Sequence, residues 1–292
     1  MTVHTVGFIG LGNMGGALAA NLVSSGYPVV AYDAAGPQLT PQGATAVDGV
    51  AEVAARSEVV VLSLPNGAVS EQVARQIAAA ATSTAGRRVT HVVDTSTIGV
   101  AAAQRIAALL ADDGVGYVDA PVSGGVAGAK ARTLFVMYAG TDEACAHVEP
   151  VLAGLSDRRR RVGDRPGLAQ ALKLANNFLS ASALAATSEA IAFGQSVGLE
   201  MGTMLEVLNV SSGQNAAISD KFPNHVLNGR YASGFANTLM SKDVQLYLGA
   251  VQEQGGPTSI GTVTAALWER FAATEPGADF TRIFPFVEDS EA

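Results

Sequence analysis

The chain has 292 residues, of which 48% are hydrophobic and 15% charged, which is typical of a well-packed globular protein of about two domains. Its formal net charge of −8 argues against a nucleic-acid partner, because phosphate contacts need a basic face. Cys145 is the only cysteine, so no intramolecular disulfide forms, and the lack of a signal-peptide pattern or a long apolar run predicts a cytoplasmic protein with no membrane segment.

The first predicted elements form the pattern of a dinucleotide site. Residues 3–9 are an apolar, β-branched run, typical of a buried parallel strand, and a helix is predicted after the glycine-rich turn that follows. In such a turn the first glycine permits the tight bend, the second lets the backbone approach a pyrophosphate, and the third lets helix and strand pack closely. The turn consists of Gly10, Leu11, Gly12, Asn13, Met14 and Gly15.

A second predicted strand, residues 29–32, ends in Asp33. A carboxylate at this point accepts hydrogen bonds from the ribose hydroxyls of an adenosine and repels a 2′-phosphate. The alternative is that Asp33 only caps the turn that follows it. The pattern predicts bound NAD and makes NADP the less favoured cofactor.

Strands and helices continue to alternate, which predicts a doubly wound sheet. Ligands in such sheets lie at the carboxyl ends of the strands, so the loops there are expected to line a cleft. The loop with Ser123, Gly124 and Gly125 offers a hydroxyl and closely spaced N–H groups to a carboxylate, although an ordinary glycine-rich turn has the same composition. Further strands are predicted at residues 59–62, 89–94, 116–120, 135–139 and 160–162, and helices at residues 50–55, 69–80, 101–110 and 142–152.

Residues 167–198 predict one long helix, because they are rich in Ala and Leu and contain no proline. Lys173, Asn176 and Asn177 stand at positions i, i+3 and i+4, so one face of this helix presents an amine and two amides. The fold is expected to combine an α/β dinucleotide-binding domain at residues 1–165 with a long interdomain helix and an all-α domain at residues 166–292. Shorter helices are predicted at residues 203–210, 216–226, 238–254 and 258–272.

Three groups of polar residues have less distinctive patterns. The basic run at residues 158–161 is interpreted as a solvated turn between domains, and Lys242 with Asp243 as a surface ion pair. The histidines lack the spacing of metal ligands, so each is interpreted as a surface or structural residue and no metal site is predicted. They are His4, His91, His147 and His225.

The motifs GFIGLGNMG, LPNG, DTSTI, DAPVSGG and KLANN, followed by a late KD pair, resemble those of the β-hydroxyacid dehydrogenase family in kind and order, over almost the whole chain. This family includes 3-hydroxyisobutyrate dehydrogenases and tartronate semialdehyde reductases. The resemblance implies a Rossmann-type N-terminal domain, an interdomain helix, an all-helical C-terminal domain and a homodimer or homotetramer. It also implies an oxidoreductase that transfers a hydride between NAD(P) and a short β-hydroxy acid.

The resemblance further implies roles for individual residues. Lys173 is similar to the catalytic lysine of the family, and Asn177 to the amide that positions this lysine and the substrate. Lys242 is similar to a lysine that reaches the site, which changes its interpretation from a surface residue to a pocket residue. The substrate carboxylate is expected to bind Ser123, Gly124 and Gly125, and the distal group of the substrate is expected to contact Gln214, Asn215, Phe235 and Lys242. The cofactor is expected to contact Leu64, Pro65 and Lys242, and Thr97 is expected near both substrate and cofactor.

Two residues depart from the family pattern. Val100 stands where the family commonly has proline, which affects only a helix start, and Ala169 stands where it commonly has glycine, which adds a methyl group close to the site. Two alternative functions stay open. One is a non-catalytic NAD-binding interaction protein on the same scaffold, and the other is an imine reductase-like enzyme, although the related imine reductases lack the lysine.

Overall fold

The computed structural model describes residues 4–82 and 88–290, with residue 290 described by its backbone alone. The chain divides into two compact units, Met1–Lys173 and Leu174–Ala292, called the N-terminal and the C-terminal unit below. Their boundary falls inside one long helix, whereas the predicted domain boundary after residue 165 precedes that helix, so the division into domains stays a prediction. None of the helices in the described residues is long and apolar enough to cross a lipid bilayer.

A nine-stranded sheet forms the centre of the N-terminal unit. Its strands are β1 (Val6–Ile9), β2 (Val29–Tyr32), β3 (Thr45–Ala46), β4 (Val59–Leu62), β5 (His91–Asp94), β6 (Gly116–Asp119), β7 (Val122–Ser123), β8 (Phe135–Ala139) and β9 (Arg158–Gly163). The order is β3-β2-β1-β4-β5-β6-β8-β7, with β9 beside β8. Strands β1 to β6 run parallel and β8 is antiparallel to β6, so the predicted doubly wound sheet is confirmed. The predicted first strand begins at Val3, which lies outside the described residues.

Helices cover both faces of this sheet, which explains the apolar runs in its strands. Neighbouring residues of a strand point to opposite faces, so Val60 and Val61 lie in two separate cores. The helices of this unit are α1 (Asn13–Ser24), α2 (Val50–Arg56), α3 (Gly67–Thr82), α4 (Val100–Asp112), α5 (Gly125–Lys130) and α6 (Asp142–Leu155). Leu18, Val148 and other residues of α1 and α6 pack on one face, and residues of α2, α3 and α4 pack on the other.

The basic run at residues 158–161 forms strand β9, so its interpretation as a solvated turn is wrong. Strand β9 pairs in parallel with β8. Two of its arginines bind acidic residues of α6: Arg159 Nε donates to Glu149 Oε1 at 2.7 Å, and an Arg161 guanidinium nitrogen donates to Asp142 Oδ1 at 2.6 Å. These ion pairs allow a highly charged segment to form an edge strand.

The C-terminal unit is helical. Its core contains Trp268, Phe222 and Phe271, all fully buried, and Trp268 Nε1 donates to the Ala181 carbonyl at 3.3 Å. The predicted helix at residues 216–226 is a π-helix, and a bond from Leu227 N–H to the Phe222 carbonyl at 2.8 Å closes its end. The helices are α7 (Leu168–Ser196), which begins in the N-terminal unit, α8 (Met201–Leu208), the π-helix (Ala217–Val226), α9 (Asn237–Glu253), α10 (Ser259–Thr274) and α11 (Ile283–Ser290).

Three of the four histidines gather at the amino-terminal end of the sheet, although they are scattered in the sequence. The rings of His91 and His147 stack with centroids 4.0 Å apart. His147 Nε2 lies 3.0 Å from Glu58 Oε1, and His4 contacts the other oxygen of Glu58. Burial lowers the pKa of His91 to about 4, and the adjacent His147 lowers it too, while Glu58 acts in the opposite direction. Within residues 4–82 and 88–290, no three His, Cys, Asp or Glu side chains are grouped to hold a metal ion.

The shifted pKa of His91 predicts a pH-dependent contribution to stability. The unfolded chain binds a proton at His91 near pH 6.5, whereas the folded chain does so only near pH 4. Between these values the unfolded state holds more protons, so acidification through this window destabilises the fold. We expect the His91→Asn variant to show a weaker fall of the urea midpoint between these pH values than the wild type. Identical slopes in the two proteins would contradict this assignment.

Candidate functional site

The glycine-rich turn connects β1 to α1 at the carboxyl end of the strand. Gly10 has a φ of +92°, and a Cβ atom on it would lie 2.2 Å from the Ser63 carbonyl oxygen. A Cβ atom on Gly15 would lie 1.9 Å from the Gly10 carbonyl oxygen, so both positions need glycine. A Cβ atom on Gly12 would meet no atom within 4 Å, and α1 begins there without a side-chain cap. The open surface and the positive end of α1 fit the pyrophosphate of a dinucleotide.

The carboxylate of Asp33 lies beside this turn at the end of β2. Its Oδ2 accepts a hydrogen bond from the Leu11 N–H at 2.5 Å, and its Oδ1 accepts one from the Ala35 N–H at 2.8 Å. Asp33 therefore does stabilise the turn that follows it. Each oxygen keeps a further lone pair, and the side chain is partly exposed, so binding of a ribose hydroxyl is compatible with both bonds and stays a prediction.

The loops after β4 and β5 are joined by hydrogen bonds. The Leu64 N–H donates to Ser96 Oγ at 2.7 Å, and the Ser96 N–H donates to Asp94 Oδ1 at 2.9 Å. Ser96 is buried, Leu64 and Thr97 are partly exposed, and Pro65 is exposed. The two predicted cofactor loops thus form one connected edge of the N-terminal unit.

Gln170, in the first turn of α7, binds the loop after β5. Its Oε1 accepts from the N–H groups of Ile98 and Gly99 at 2.9 and 3.2 Å, and its Nε2 donates to the Ser96 carbonyl at 2.9 Å. The side chain is fully buried. Gln170 is not among the site residues predicted from the sequence. The available signal was an amide three residues before Lys173, on the same helix face.

Asp119, at the end of β6, binds the start of the same helix. Its Oδ1 and Oδ2 accept from the N–H groups of Gly167 and Gln170 at 3.0 and 2.9 Å. Burial raises the pKa of Asp119 to about 6, and Asp94 on the adjacent strand raises it as well, whereas the two N–H bonds lower it. Lys173 follows within one turn of α7 and is only 8% exposed. The structure therefore places the predicted catalytic amine just after an anchored helix start.

The loop with Ser123, Gly124 and Gly125 has a defined conformation. Ser123 ends the short strand β7, and Gly124 and Gly125 have φ values of +129° and +67°, which favour glycine. Helix α5 begins at Gly125 without a side-chain cap. Neither β7 nor α5 was predicted, because each is too short to show a period in the sequence. The loop is thus more regular than an ordinary glycine-rich turn, and its hydroxyl is partly exposed.

In the C-terminal unit, Asn177 and Lys242 share the carboxylate of Asp243. Asn177 Nδ2 donates to Asp243 Oδ2 at 2.6 Å, and Lys242 Nζ lies 3.1 Å from Asp243 Oδ1. Asn177 Oδ1 also accepts from Asn176 Nδ2 at 3.0 Å. Asp243 is only 3% exposed, so the interpretation of Lys242 and Asp243 as a surface pair is wrong. The sequence pattern indicated this aspartate only as a partner of Lys242, and its bond to Asn177 was not predicted.

The remaining predicted substrate residues of this unit have structural partners or are exposed. Asn215 Oδ1 accepts from the Ala217 N–H, at the first residue of the π-helix, at 2.8 Å. The ring of Phe235 packs edge-on against Phe280, with centroids 5.6 Å apart. Gln214 is exposed. Contact of these three side chains with a substrate stays a prediction.

Comparison with known proteins gives matches to both parts of the chain. Residues 5–163 match the family model of the NAD-binding domain of 6-phosphogluconate dehydrogenase, and residues 167–287 match that of the NAD-binding of NADP-dependent 3-hydroxyisobutyrate dehydrogenase. The 2-(hydroxymethyl)glutarate dehydrogenase of Eubacterium barkeri is 35% identical over 90% of this chain and 88% of its own. The 3-hydroxyisobutyrate dehydrogenase of Pseudomonas aeruginosa is 35% identical over 95% of this chain and 96% of its own.

Comparison with solved structures also gives a 3-hydroxyisobutyrate dehydrogenase that matches almost the whole chain. The 3-hydroxyisobutyrate dehydrogenase of Mycobacterium tuberculosis, solved with L-serine, is 31% identical and has a TM-score of 0.89, with 98% of this chain and 99% of that chain covered. An imine reductase from Streptomyces aurantiacus is 20% identical with a TM-score of 0.64, which shows a shared fold alone. The chain therefore belongs to the β-hydroxyacid dehydrogenase family, and it is an oxidoreductase with NAD-binding domains that acts on the CH–OH group of a hydroxy acid.

Proposed function

We propose that the protein is an NAD-dependent dehydrogenase of a short β-hydroxy acid and that Lys173 is its general acid and base. The observation that carries this proposal is the position of Lys173. It is a buried amine that follows the point where Asp119 and Gln170 bind the start of α7 to the carboxyl ends of β5 and β6. In doubly wound sheets of this strand order, the dinucleotide binds outside the carboxyl ends of the strands.

The cofactor proposal rests on the turn after β1 and on Asp33. When bound, NAD supplies the acceptor or the donor of the hydride. The carboxylate of Asp33 would bind the adenosine ribose and repel the 2′-phosphate of NADP. The other residues proposed to hold the cofactor are Gly10, Leu11, Gly12, Asn13, Met14, Gly15, Leu64, Pro65, Thr97 and Lys242.

The substrate carboxylate is proposed to bind the loop of Ser123, Gly124 and Gly125 through the hydroxyl and the backbone N–H groups. This contact would hold the adjacent hydroxyl group at Lys173, with Thr97 beside it. During oxidation the amine of Lys173 removes the hydroxyl proton, and during reduction the ammonium returns a proton to the carbonyl oxygen. Asn177 is proposed to orient the amine and the substrate.

The buried carboxylate of Asp243 supports our proposal for the distal part of the substrate. It fixes the amide of Asn177 and binds the ammonium group of Lys242, whose side chain stays 27% exposed. The proposed contacts of the distal group thus include a partly exposed ammonium group, that of Lys242, and the amides of Gln214 and Asn215. Such polar contacts suit a hydroxylated or anionic group at least as well as a methyl group. Candidates are therefore 3-hydroxyisobutyrate, with a methyl group, and 2-(hydroxymethyl)glutarate, with a second carboxylate.

We also propose that residues 1–165 form the dinucleotide-binding domain and that residues 166–292 form the interdomain helix and the substrate and oligomerisation domain. The limits of the two family matches, residues 163 and 167, support this division. Several large apolar side chains of the C-terminal unit are exposed in the single chain, which supports a homodimer or homotetramer. They include Leu179, Phe193, Val197, Val210, Ile260 and Val263.

The proposed activity is tested by following NADH with a panel of 3-hydroxyisobutyrate, 2-(hydroxymethyl)glutarate, glycerate, threonate and a hydroxypropanesulfonate. We expect turnover of one member, and we expect Lys173→Ala to lower kcat by on the order of 100-fold or more while NADH binding is retained. Lys221→Ala, which removes an ammonium group paired with Asp220, is the matched control and should retain full activity. Near-normal turnover by Lys173→Ala would remove this lysine from the mechanism. If the protein bound NAD but turned over no member of the panel in either direction, the result would favour the alternative of a non-catalytic NAD-binding protein.

The role of Asp33 predicts a change of cofactor preference in the Asp33→Asn variant. The substitution keeps an acceptor for the Leu11 N–H but removes the charge. The ratio of kcat/KM for NAD to that for NADP should fall by on the order of tenfold or more, since like charges at a binding surface cost several kcal/mol and about 1.4 kcal/mol is a factor of ten. Asp112→Asn, on the exposed end of α4, should leave the ratio unchanged. An unchanged ratio in Asp33→Asn would show that Asp33 only stabilises its turn.

The proposed oligomer is tested by sedimentation velocity. The wild type should sediment as a dimer or tetramer, and the double variant Phe193→Asp, Val197→Asp should shift towards the monomer, because buried charges destabilise an apolar interface. Leu39→Asp, which changes an exposed apolar residue of the N-terminal unit, is the control and should not alter the mass. A monomeric wild type at micromolar concentration would contradict the proposal.

A further inference from the structure

The start of α7 has no capping side chain of its own. Gly167 precedes its first residue, and the first turn of the helix contains no acidic residue. A carboxylate from elsewhere in the chain takes this place, because Asp119 at the end of β6 accepts from the N–H groups of Gly167 and Gln170. Two of the donors that a helix leaves unpaired at its start are thus bound by the sheet.

Gln170 makes a second connection from the same turn. Its side chain binds the backbone of Ser96, Ile98 and Gly99 in the loop after β5, with three hydrogen bonds between 2.9 and 3.2 Å. The side chains of Asp119 and Gln170 are both fully buried, so no water replaces these bonds when one of them is lost. The first turn of α7 is therefore held at two points, one at the end of β6 and one after β5.

We propose that Asp119 and Gln170 are positioning residues for Lys173, because together they fix the translation and rotation of the helix turn that precedes it. The inference rests on the catalytic role proposed above for Lys173. Gln170 and Lys173 stand at positions i and i+3 of one helix, so a shift of the first turn moves the amine. Misplacement of a catalytic group by about 1 Å costs on the order of 100-fold in rate, so the effect falls on kcat.

Asp119 serves as this anchor only as a carboxylate. Both of its oxygens accept an N–H, and protonation would turn one of them into a donor that faces another donor. Burial and the neighbouring Asp94 raise the pKa of Asp119 to about 6 against the effect of its N–H bonds. Tyr117 on β6 and Cys145 on α6 also interact with Asp119, and burial raises the pKa of each, so both stay neutral where Asp119 titrates.

The kinetic test uses two variants and a matched control. Asp119→Asn keeps the shape of the side chain but sets an NH₂ group against an N–H donor, and we expect kcat to fall by about 10- to 100-fold with KM for NAD near its wild-type value. Gln170→Met removes the side-chain bonds yet keeps the backbone bond to Asp119, and it should lower kcat in the same way. Thr141→Ala removes the side-chain cap of α6, so it should lower Tm but leave kcat unchanged.

The pH profile distinguishes positioning from a loss of stability. In the direction of carbonyl reduction Lys173 donates the proton, so acidification favours its reactive form. We expect wild-type kcat in this direction to decline below about pH 6, where Asp119 becomes protonated. Asp119→Asn should have a low kcat that does not change through this range. If kcat of Asp119→Asn declined below about pH 6 in the same way as that of the wild type, the inference would be overturned.

Amide hydrogen exchange at residues 167–171 separates failure of the inference from failure of the proposed function. Exchange should be faster in Asp119→Asn and Gln170→Met than in the wild type and in Thr141→Ala. If the wild type turns over a substrate and Asp119→Asn retains its kcat, the inference is overturned and the proposed function stands. If the wild type turns over nothing, the proposed function fails, and unchanged exchange in both variants would overturn the anchoring as well.

Discussion

The two hydrogen bonds from the start of α7 to Asp119 connect the sheet to the helix that carries Lys173. The helix supplies unpaired N–H donors, and the sheet supplies a buried carboxylate that has no water to bind instead. Gln170 extends this connection to Ser96, and Ser96 extends it to the backbone of Leu64. One chain of hydrogen bonds thus runs from the amine-bearing helix across the loops after β5 and β4.

A buried aspartate has a comparable part in each unit. In the N-terminal unit Asp119 binds backbone donors, and in the C-terminal unit Asp243 binds the amide of Asn177 and the ammonium group of Lys242. Neither carboxylate is proposed to take part in the chemistry. A buried carboxylate without partners is strongly unfavourable, so each one restricts its donors to a single arrangement. Within its own unit, each buried carboxylate therefore limits the positions of the groups that it binds, namely the first turn of α7 for Asp119 and the side chains of Asn177 and Lys242 for Asp243.

Features that depend on neighbouring residues were predictable from the sequence. The glycine pattern around Gly10 and Gly15 identified the turn, and periodicity identified strands β4 and β8 and the long helix α7. Features that depend on partners far away in the sequence were not predictable in this way. Two arginines of β9 bind Glu149 and Asp142 on α6, and the N–H of Gly167 at the start of α7 binds Asp119, which lies 48 residues earlier in the sequence. No local pattern contains such pairs, because they form only after the sheet brings distant segments together.

The distance in sequence between Asp119 and Gly167 also sets an order of events during folding. Strand β6 leaves the ribosome before α7, and its pairing with β5 holds the carboxylate of Asp119 at the edge where the start of α7 binds it. Until then the first turn of α7 has no acceptor for its donors and is prone to fray. The first turn of α7 therefore depends on a strand that lies far away in the sequence, and a half-folded chain in which only the glycine-rich turn has formed still lacks an ordered start of the helix that carries Lys173.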